Sequence, residues 1–275
     1  MAELMDIFGN DGTRLHGKFW HHEKAKAIIC IVHGFGEHID RYDELAEFLN
    51  ENGIAVAGMD LRGHGRSEGL KGHTPGFDHY LNDVEELLKS ARADYTDIPM
   101  FLFGQSMGGL IVLGYVTSRN TTELSGFIAS NPWLGLAFEP PAWKVKAGQF
   151  IANILPKFRM DNELNPETLS RIPEVVETYK NDPLVTTKIS VRTFVEVSNA
   201  IAQLPMNMSK LKVQGLVYHG AADQLIDHDA TEQLVSNSSK IDWESIPEAY
   251  HEPHNDLCKA EIFEKIKDWV NRRLS

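Results

Sequence analysis

A serine set among glycines is the first residue in this chain whose surroundings suggest chemistry. Gly104-Gln105-Ser106-Met107-Gly108-Gly109 follows directly on an apolar β-like run, Met100 to Phe103, and precedes a helix-like segment, Leu110 to Val116. In a strand, sharp turn, helix setting, Gly-x-Ser-x-Gly lifts the serine hydroxyl above a sheet, where it can attack an electrophile. Glycine suits the flanks because a strained turn brings neighbouring backbone close and a side chain there would clash. Ser106 is therefore the candidate nucleophile. A serine hydroxyl is barely nucleophilic at neutral pH, so it needs a base, and the base needs an acid to orient it.

With twelve histidines in the chain, only topology can select one. In sites of this kind the chain order is serine, acid, histidine. The run Val213 to Tyr218 ends in His219-Gly220-Ala221-Ala222-Asp223, which sets Asp223 just past the carboxyl end of a strand, where open α/β sheets build their sites. Asp227 and Asp229 are rivals, but both fall in the first turn of the next predicted helix, where an acid usually serves the helix dipole. The strand Ile241 to Ile246 leads to Tyr250-His251-Glu252-Pro253-His254. His251 comes first after that strand and is the candidate base, with His254 as the alternative. Their spacing resembles half a metal site, yet no second carboxylate–histidine cluster completes one, so neither a metal nor another cofactor is expected.

His33-Gly34-Phe35-Gly36 caps the run Ala27 to Val32. A glycine-rich bend there turns backbone N–H groups toward the top of the sheet, and the Phe35 and Met107 amides are the candidate oxyanion hole. The plainer alternative is a tight strand-to-loop turn. Asp60-Leu61-Arg62-Gly63-His64-Gly65-Arg66-Ser67 follows the run Ile54 to Met59 and reads as a bracing loop without chemistry of its own.

The elements that must position these residues are legible in the hydrophobic pattern. Two short alternating runs around Gly9-Asn10-Asp11-Gly12 predict an opening β-hairpin. Continuous β-branched or apolar runs at 27–32, 54–59, 100–103, 124–129 and 213–218 predict strands buried on both faces, hence a parallel sheet covered by helices. Phe77, Tyr80, Leu81, Val84, Leu87, Leu88 and Ala91 repeat at three and four residues and predict one helix face; Ile262, Phe263, Ile266, Trp269 and Val270 predict a closing helix. Strands alternating with such helices make a three-layer α/β fold.

The alternation breaks between about Trp133 and Leu204, a stretch with six prolines, preceded by Pro132, and no clear strands, which reads as an insertion. Its eight acids and eight bases from Glu139 to Glu196 cancel, so the formal charge of −12 resides on the remainder. Apolar residues crowd its start, and Trp143, Ala147, Phe150, Ile151 and Ile154 fit one core-facing helical side.

These residues resemble a known family, the α/β-hydrolases, and within it the monoacylglycerol lipase and lysophospholipase-like serine hydrolases. The resemblance rests on HGFGEHIDRY (33–42), DLRGHGRSEG (60–69), GQSMGG (104–109), NDPL (181–184), GAAD (220–223) and YHEPHND (250–256), which span nearly the whole chain in the family's order. It implies a mostly parallel central sheet flanked by helices with a helical cap: core residues 1–132 and 205–275, cap residues 133–204. It also implies a Ser106, Asp223 and His251 triad, oxyanion amides from Phe35 and Met107, and hydrolysis of single-chain lipid esters under the cap, monoacylglycerol foremost, with lysophospholipids or general carboxylic esters as alternatives. Epoxide hydrolases and haloalkane dehalogenases use an aspartate nucleophile on this fold, and Ser106 speaks against both. A proline iminopeptidase-like enzyme needs an acidic pocket for a free amine, and the insertion's Glu163, Glu167 and Glu174 keep it open, as is a ligand receptor that retains the triad.

Composition narrows the partners. Twenty-seven bases against thirty-nine acids run counter to the electrostatics of binding a phosphate backbone, so nucleic acid is not an expected partner. At 275 residues one core with a modest insertion is expected. Cys30 and Cys258 show no paired spacing and are expected as reduced thiols. No basic-then-apolar leader and no span of ~18 apolar residues is present, which predicts a soluble cytoplasmic protein with at most transient membrane-surface contact through the cap.

Overall fold

The structure, a computed structural model, describes residues 2–137, 148 and 150–274. Its strands in chain order are β1 (Ala2–Phe8), β2 (Arg14–Trp20), β3 (Ala27–Val32), β4 (Ile54–Met59), β5 (Met100–Gln105), β6 (Leu124–Ser130), β7 (Arg159–Asp161), β8 (Lys188–Ser190), β9 (Gly215–Gly220) and β10 (Ile241–Ile246). Labelled helices are α1 (Asp43–Glu51), α2 (Phe77–Asp94), α3 (Met107–Ser118), α4 (Pro173–Asn181), α5 (Val191–Asn207), α6 (His228–Val235) and α7 (Lys259–Asn271). Eight strands form one sheet in the order β1-β2-β4-β3-β5-β6-β9-β10. The opening hairpin and its junction with β4 are antiparallel, and every pairing from β4 onward is parallel.

Period-two alternation divides the central strands between two cores. Ile28, Cys30 and Val32 of β3 pack with α2 and α3, while Ala27, Ile29 and Ile31 pack with α1 and α7 on the other face. The helix faces follow the predicted stripes: Tyr80, Leu81, Val84, Leu87, Leu88 and Ala91 are buried on α2, and Ile262, Phe263, Ile266, Trp269 and Val270 on α7. Each large side chain so buried contributes about 1.5–3 kcal/mol. These helices clamp the sheet from both sides, so the loops at its carboxyl edge are held on a rigid base.

Three details depart from the sequence pattern. The strand expected at 213–218 runs instead from Gly215 to Gly220, because its ladder begins where Gly215 meets Phe127 of β6 and ends where Gly220 meets Ile246 of β10; apolar content cannot reveal that register. The insertion, expected without strands, holds the short antiparallel pair β7–β8, whose segments Arg-Met-Asp and Lys-Ile-Ser are too brief and polar to announce themselves. Residues 150–154 are helical, but Phe150 and Ile154 point to solvent, 68% and 62% exposed, so the core-facing stripe does not hold there. Trp143 and Ala147 of that stripe lie outside the described residues. No helix among the described residues is long and apolar enough to cross a membrane.

Candidate active site

Ser106 stands at the junction of β5 and α3 with φ 54° and ψ −118°, a left-handed conformation that a non-glycine residue adopts only under constraint. The constraint is visible. Its amide donates to the Ser130 carbonyl (2.9 Å), and its own carbonyl accepts from the Leu110 and Trp133 amides at 3.0 and 2.9 Å. A Cβ on Gly104 would lie 2.2 Å from the Gly108 carbonyl oxygen, and one on Gly108 would lie 2.1 Å from the Val32 oxygen. Strand β3, the elbow and α3 therefore touch backbone to backbone, which is why the pattern demands glycine on both sides of the serine.

Asp223 follows β9 in a loop, and its side chain is wholly enclosed. Oδ1 accepts from the Leu225 and Ile226 amides (2.8 and 3.1 Å), while Oδ2 faces His251 Nδ1 at 2.8 Å. Burial pushes the Asp223 carboxyl up, but the facing His251, together with hydrogen bonds from His219 and His251, outweighs it and holds the group far below the ordinary carboxylate range. Burial presses the His251 imidazole down, yet the Asp223 charge and hydrogen bond prevail, so its proton affinity is raised above the ordinary 6.5. With Nδ1 turned to Asp223, Nε2 is the ring nitrogen left for another partner. Gln105 Nε2 donates to the His251 carbonyl at 2.7 Å, tying the histidine loop to the residue before Ser106.

The rival residues fall elsewhere. Asp227 caps α6, accepting from the Asp229 and Ala230 amides, and Asp229 sits in that helix's first turn. His254 is buried in a stack against Tyr42 (4.8 Å between centroids), and burial lowers its proton affinity to about 4. It is a neutral ring in the core.

Phe35 follows Gly34, whose amide donates to Glu37 Oε1 at 2.6 Å. Met107 opens α3, and first-turn amides have no acceptor within their own helix. The 60–67 loop braces this bend: the Leu61 amide donates to His33 Nε2 (2.8 Å), and Asp60 accepts from the Ile39 and Arg66 amides. Behind the site lies a buried cluster that sequence reading did not single out. Arg41 donates to both oxygens of Glu252 (2.6 and 2.6 Å) and to Glu37 (2.9 Å), and its guanidinium lies over the Tyr179 ring of α4. His38 joins Asp182 of the Asn181-Asp182-Pro183-Leu184 segment at 2.8 Å. Both pairs tie the insertion to the loop after β3.

Ser106 and His251 share the wall of a cavity of about 360 Å³ with Phe35. Most of that wall is apolar, including Trp133, Leu136, Ile151, Leu164 and Phe194 from the insertion. Four carboxylates also line it; Glu37 and Glu252 face Arg41, and Asp161 faces Lys188. No lysine or arginine is among the described residues lining it. An enclosed serine, a histidine oriented by a buried acid and an apolar chamber together suit acyl transfer on an uncharged, chain-bearing substrate.

The chain is similar to known proteins along nearly its whole length. The chain is 32% identical to mouse monoglyceride lipase over 281 residues, covering 99% of this chain and 92% of that protein. It is 30% identical to the Bacillus subtilis phospholipase YtpA over 260 residues, 92% of this chain and 98% of the relative. An uncharacterized abhydrolase domain-containing protein of Dictyostelium discoideum is 30% identical over 280 residues, 99% of this chain, which spans only 29% of that relative's length. Among solved structures, a Paleococcus ferrophilus monoacylglycerol lipase superposes with a TM-score of 0.85 at 29% identity, covering 94% of this chain and 99% of the other. The family model described as serine aminopeptidase, S33 matches residues 23–257. On its fold and its full-length similarity to the monoglyceride lipases, the chain belongs to the α/β-hydrolases, in the family described as serine aminopeptidase, S33.

Proposed function

We propose that this protein is a serine ester hydrolase that cleaves monoacylglycerol to glycerol and fatty acid, with Ser106 as nucleophile, His251 as base and Asp223 as the acid that orients it. His251 Nε2 takes the Ser106 proton as Oγ attacks the ester carbonyl. The oxyanion is held by the Phe35 and Met107 amides, each worth ~2.7–4 kcal/mol in sites of this kind. The tetrahedral adduct collapses, the imidazolium returns its proton to the departing glycerol oxygen, and water, activated by the same histidine, releases the fatty acid. Residues 133–204 act as a cap that roofs the acyl chain.

The observation that carries this reading is the His251 Nδ1 to Asp223 Oδ2 contact, with His251 and Ser106 on the wall of one apolar cavity. An uncharged glycerol head is preferred to a phosphate because the lining has carboxylates and no cation among its described residues. The same carboxylates do not make an amine pocket: Glu37, Glu252 and Asp161 already face cations of the protein. The exposed Phe150, Ile154, Leu155 and Phe158 adjoin Ile151 and Met160 of the cavity wall, and they serve as a contact for the lipid surface from which the substrate is drawn. Two free thiols accord with a reducing, cytoplasmic setting.

The test is labelling by a fluorophosphonate, followed by hydrolysis of monoacylglycerols, lysophospholipids, short p-nitrophenyl esters and aminoacyl amides by the purified protein. Ser106 should carry the label and monoacylglycerol should be the best substrate. Faster turnover of aminoacyl amides would overturn the reading.

A further inference from the structure

Asp223 accepts more hydrogen bonds than orienting one histidine requires. Oδ1 takes two backbone amides, and Oδ2 alone faces three side-chain donors: His251 Nδ1 at 2.8 Å, Asn131 Nδ2 at 2.8 Å and His219 Nε2 at 3.1 Å. A carboxylate offers about four lone-pair sites, so five donors saturate it. The two extra donors are themselves held in place. Asn131 follows β6 in the left-handed region (φ 41°), is fully buried, and its Oδ1 accepts from the Gly220 amide at 3.4 Å. His219 is fully buried at the end of β9, with Nδ1 against Thr231 Oγ1 at 2.9 Å.

The His219 tautomer follows from its partners. Burial disfavours the imidazolium, so the ring is neutral and carries one proton. An ionised Asp223 can only accept, so that proton sits on Nε2, and Nδ1 accepts from the Thr231 hydroxyl. Both ring nitrogens are then engaged, and His219 cannot act as a base.

We propose that His219, with Asn131, is a positioning residue that fixes the direction of Asp223 Oδ2 and tempers its pull on the His251 imidazole. The inference rests on the Ser106–His251–Asp223 reading above. Its physical content is competition: each donor on Oδ2 draws charge that would otherwise stabilise the His251 imidazolium. With fewer donors the base would hold its proton to higher pH and be unavailable to Ser106 near neutrality. The other titratable and charged groups around the pair are Glu37 and Arg41 after β3, Glu252 and His254 after β10, and His228 of α6, whose ring meets His219 edge-on. None of these reaches Asp223 Oδ2 with a hydrogen bond among the described residues.

The experiment compares wild type, His219→Leu and His219→Gln in the full chain, using a short p-nitrophenyl ester from about pH 5 to 9. His219→Leu should lower kcat by about tenfold to a hundredfold, the size expected for one hydrogen bond to a charged group, with KM within about twofold. It should also move the acidic inflection of kcat/KM to higher pH by about half a unit or more. His219→Gln, whose amide nitrogen reaches toward the same oxygen, should restore both. A folded His219→Leu protein with the wild-type rate and inflection would overturn the proposal, as would equal losses in the Leu and Gln variants. If His219→Leu does not fold, Asn131→Gly, which keeps the left-handed backbone and removes the donor, should shift the inflection the same way; an unmoved profile there overturns it too. Ser106→Ala separates the two levels: turnover that survives it refutes the triad reading, whereas turnover that depends on Ser106 with an unmoved His219→Leu profile refutes the positioning role alone.

Discussion

Ser106 is a strained residue in a rigid seat, and its methyl analogue fits the same turn. Ser106→Ala should therefore leave the melting temperature near wild type while lowering kcat by about 10⁶, since members of a triad act as a unit. Retention of more than a few per cent of the rate by a clean preparation would remove Ser106 from its role. The two histidines of the Tyr250–Asp256 segment should separate in the same assay. His251→Ala is expected to be nearly as damaging as the serine change, and His254→Ala much milder for chemistry, because His254 is stacked in the core on Tyr42. The sign of the pH dependence follows from the raised proton affinity of His251. Its neutral form is the base, so kcat/KM should be full above the inflection and fall as pH drops through it, with the inflection above 6.5. A midpoint below that value would show that burial outweighs Asp223.

At the scale of elements, the site depends on backbone segments that touch. Gly108→Ala would drive a Cβ to within 2.1 Å of the Val32 oxygen and 2.6 Å of the His33 oxygen, and neither can retreat without moving β3. A loss of about 3 kcal/mol in urea denaturation is expected, the upper end for overpacking, together with loss of activity. The buried Glu37–Arg41–Glu252 cluster joins the loop after β3 to the loop after β10. Arg41→Ala would strand two enclosed carboxylates and should destabilise the protein by about 3–5 kcal/mol; a change below 1 kcal/mol by the same measurement would show that water or rearrangement replaces the guanidinium.

For the whole molecule, cavity and exposed apolar surface act together. Each acyl methylene buried in the chamber contributes ~0.8 kcal/mol, so kcat/KM along a monoacylglycerol series should rise from acetyl to intermediate or long chains. A maximum at acetyl, or equal rates at all lengths, would refute an acyl channel. Triacylglycerols and lysophospholipids should be poorer substrates, the former for their bulk and the latter for their charge. Phe150→Ser combined with Phe158→Ser should lower co-sedimentation with phosphatidylcholine vesicles by about tenfold or more while sparing a soluble short ester. Unchanged vesicle binding would assign those side chains to another contact.

Much of this arrangement was legible in the chain before folding. The β5–Ser106–α3 elbow is local: its glycines, the strand before and the helix after lie within about twenty residues, and Gly104 is confined by Gly108 of the same elbow, although Gly108 itself is confined by the backbone of Val32 and His33 from β3 and its loop. The places of Asp223 and His251 followed from strand ends, since parallel strands deliver their following loops to one edge of the sheet. The contacts that complete the site were not legible, because they join residues with no relation in sequence. Arg41 and Glu252 meet across 211 positions, Gln105 and the His251 carbonyl across 146, and Asn131 and Asp223 across 92. Hydrophobic periodicity likewise assigned Phe150 and Ile154 to a core, whereas exposure depends on what the fold places opposite them. Local stereochemistry is written in neighbouring residues; pairing, burial and proton affinity are set by the three-dimensional surroundings, which exist only once the sheet has brought its loops together.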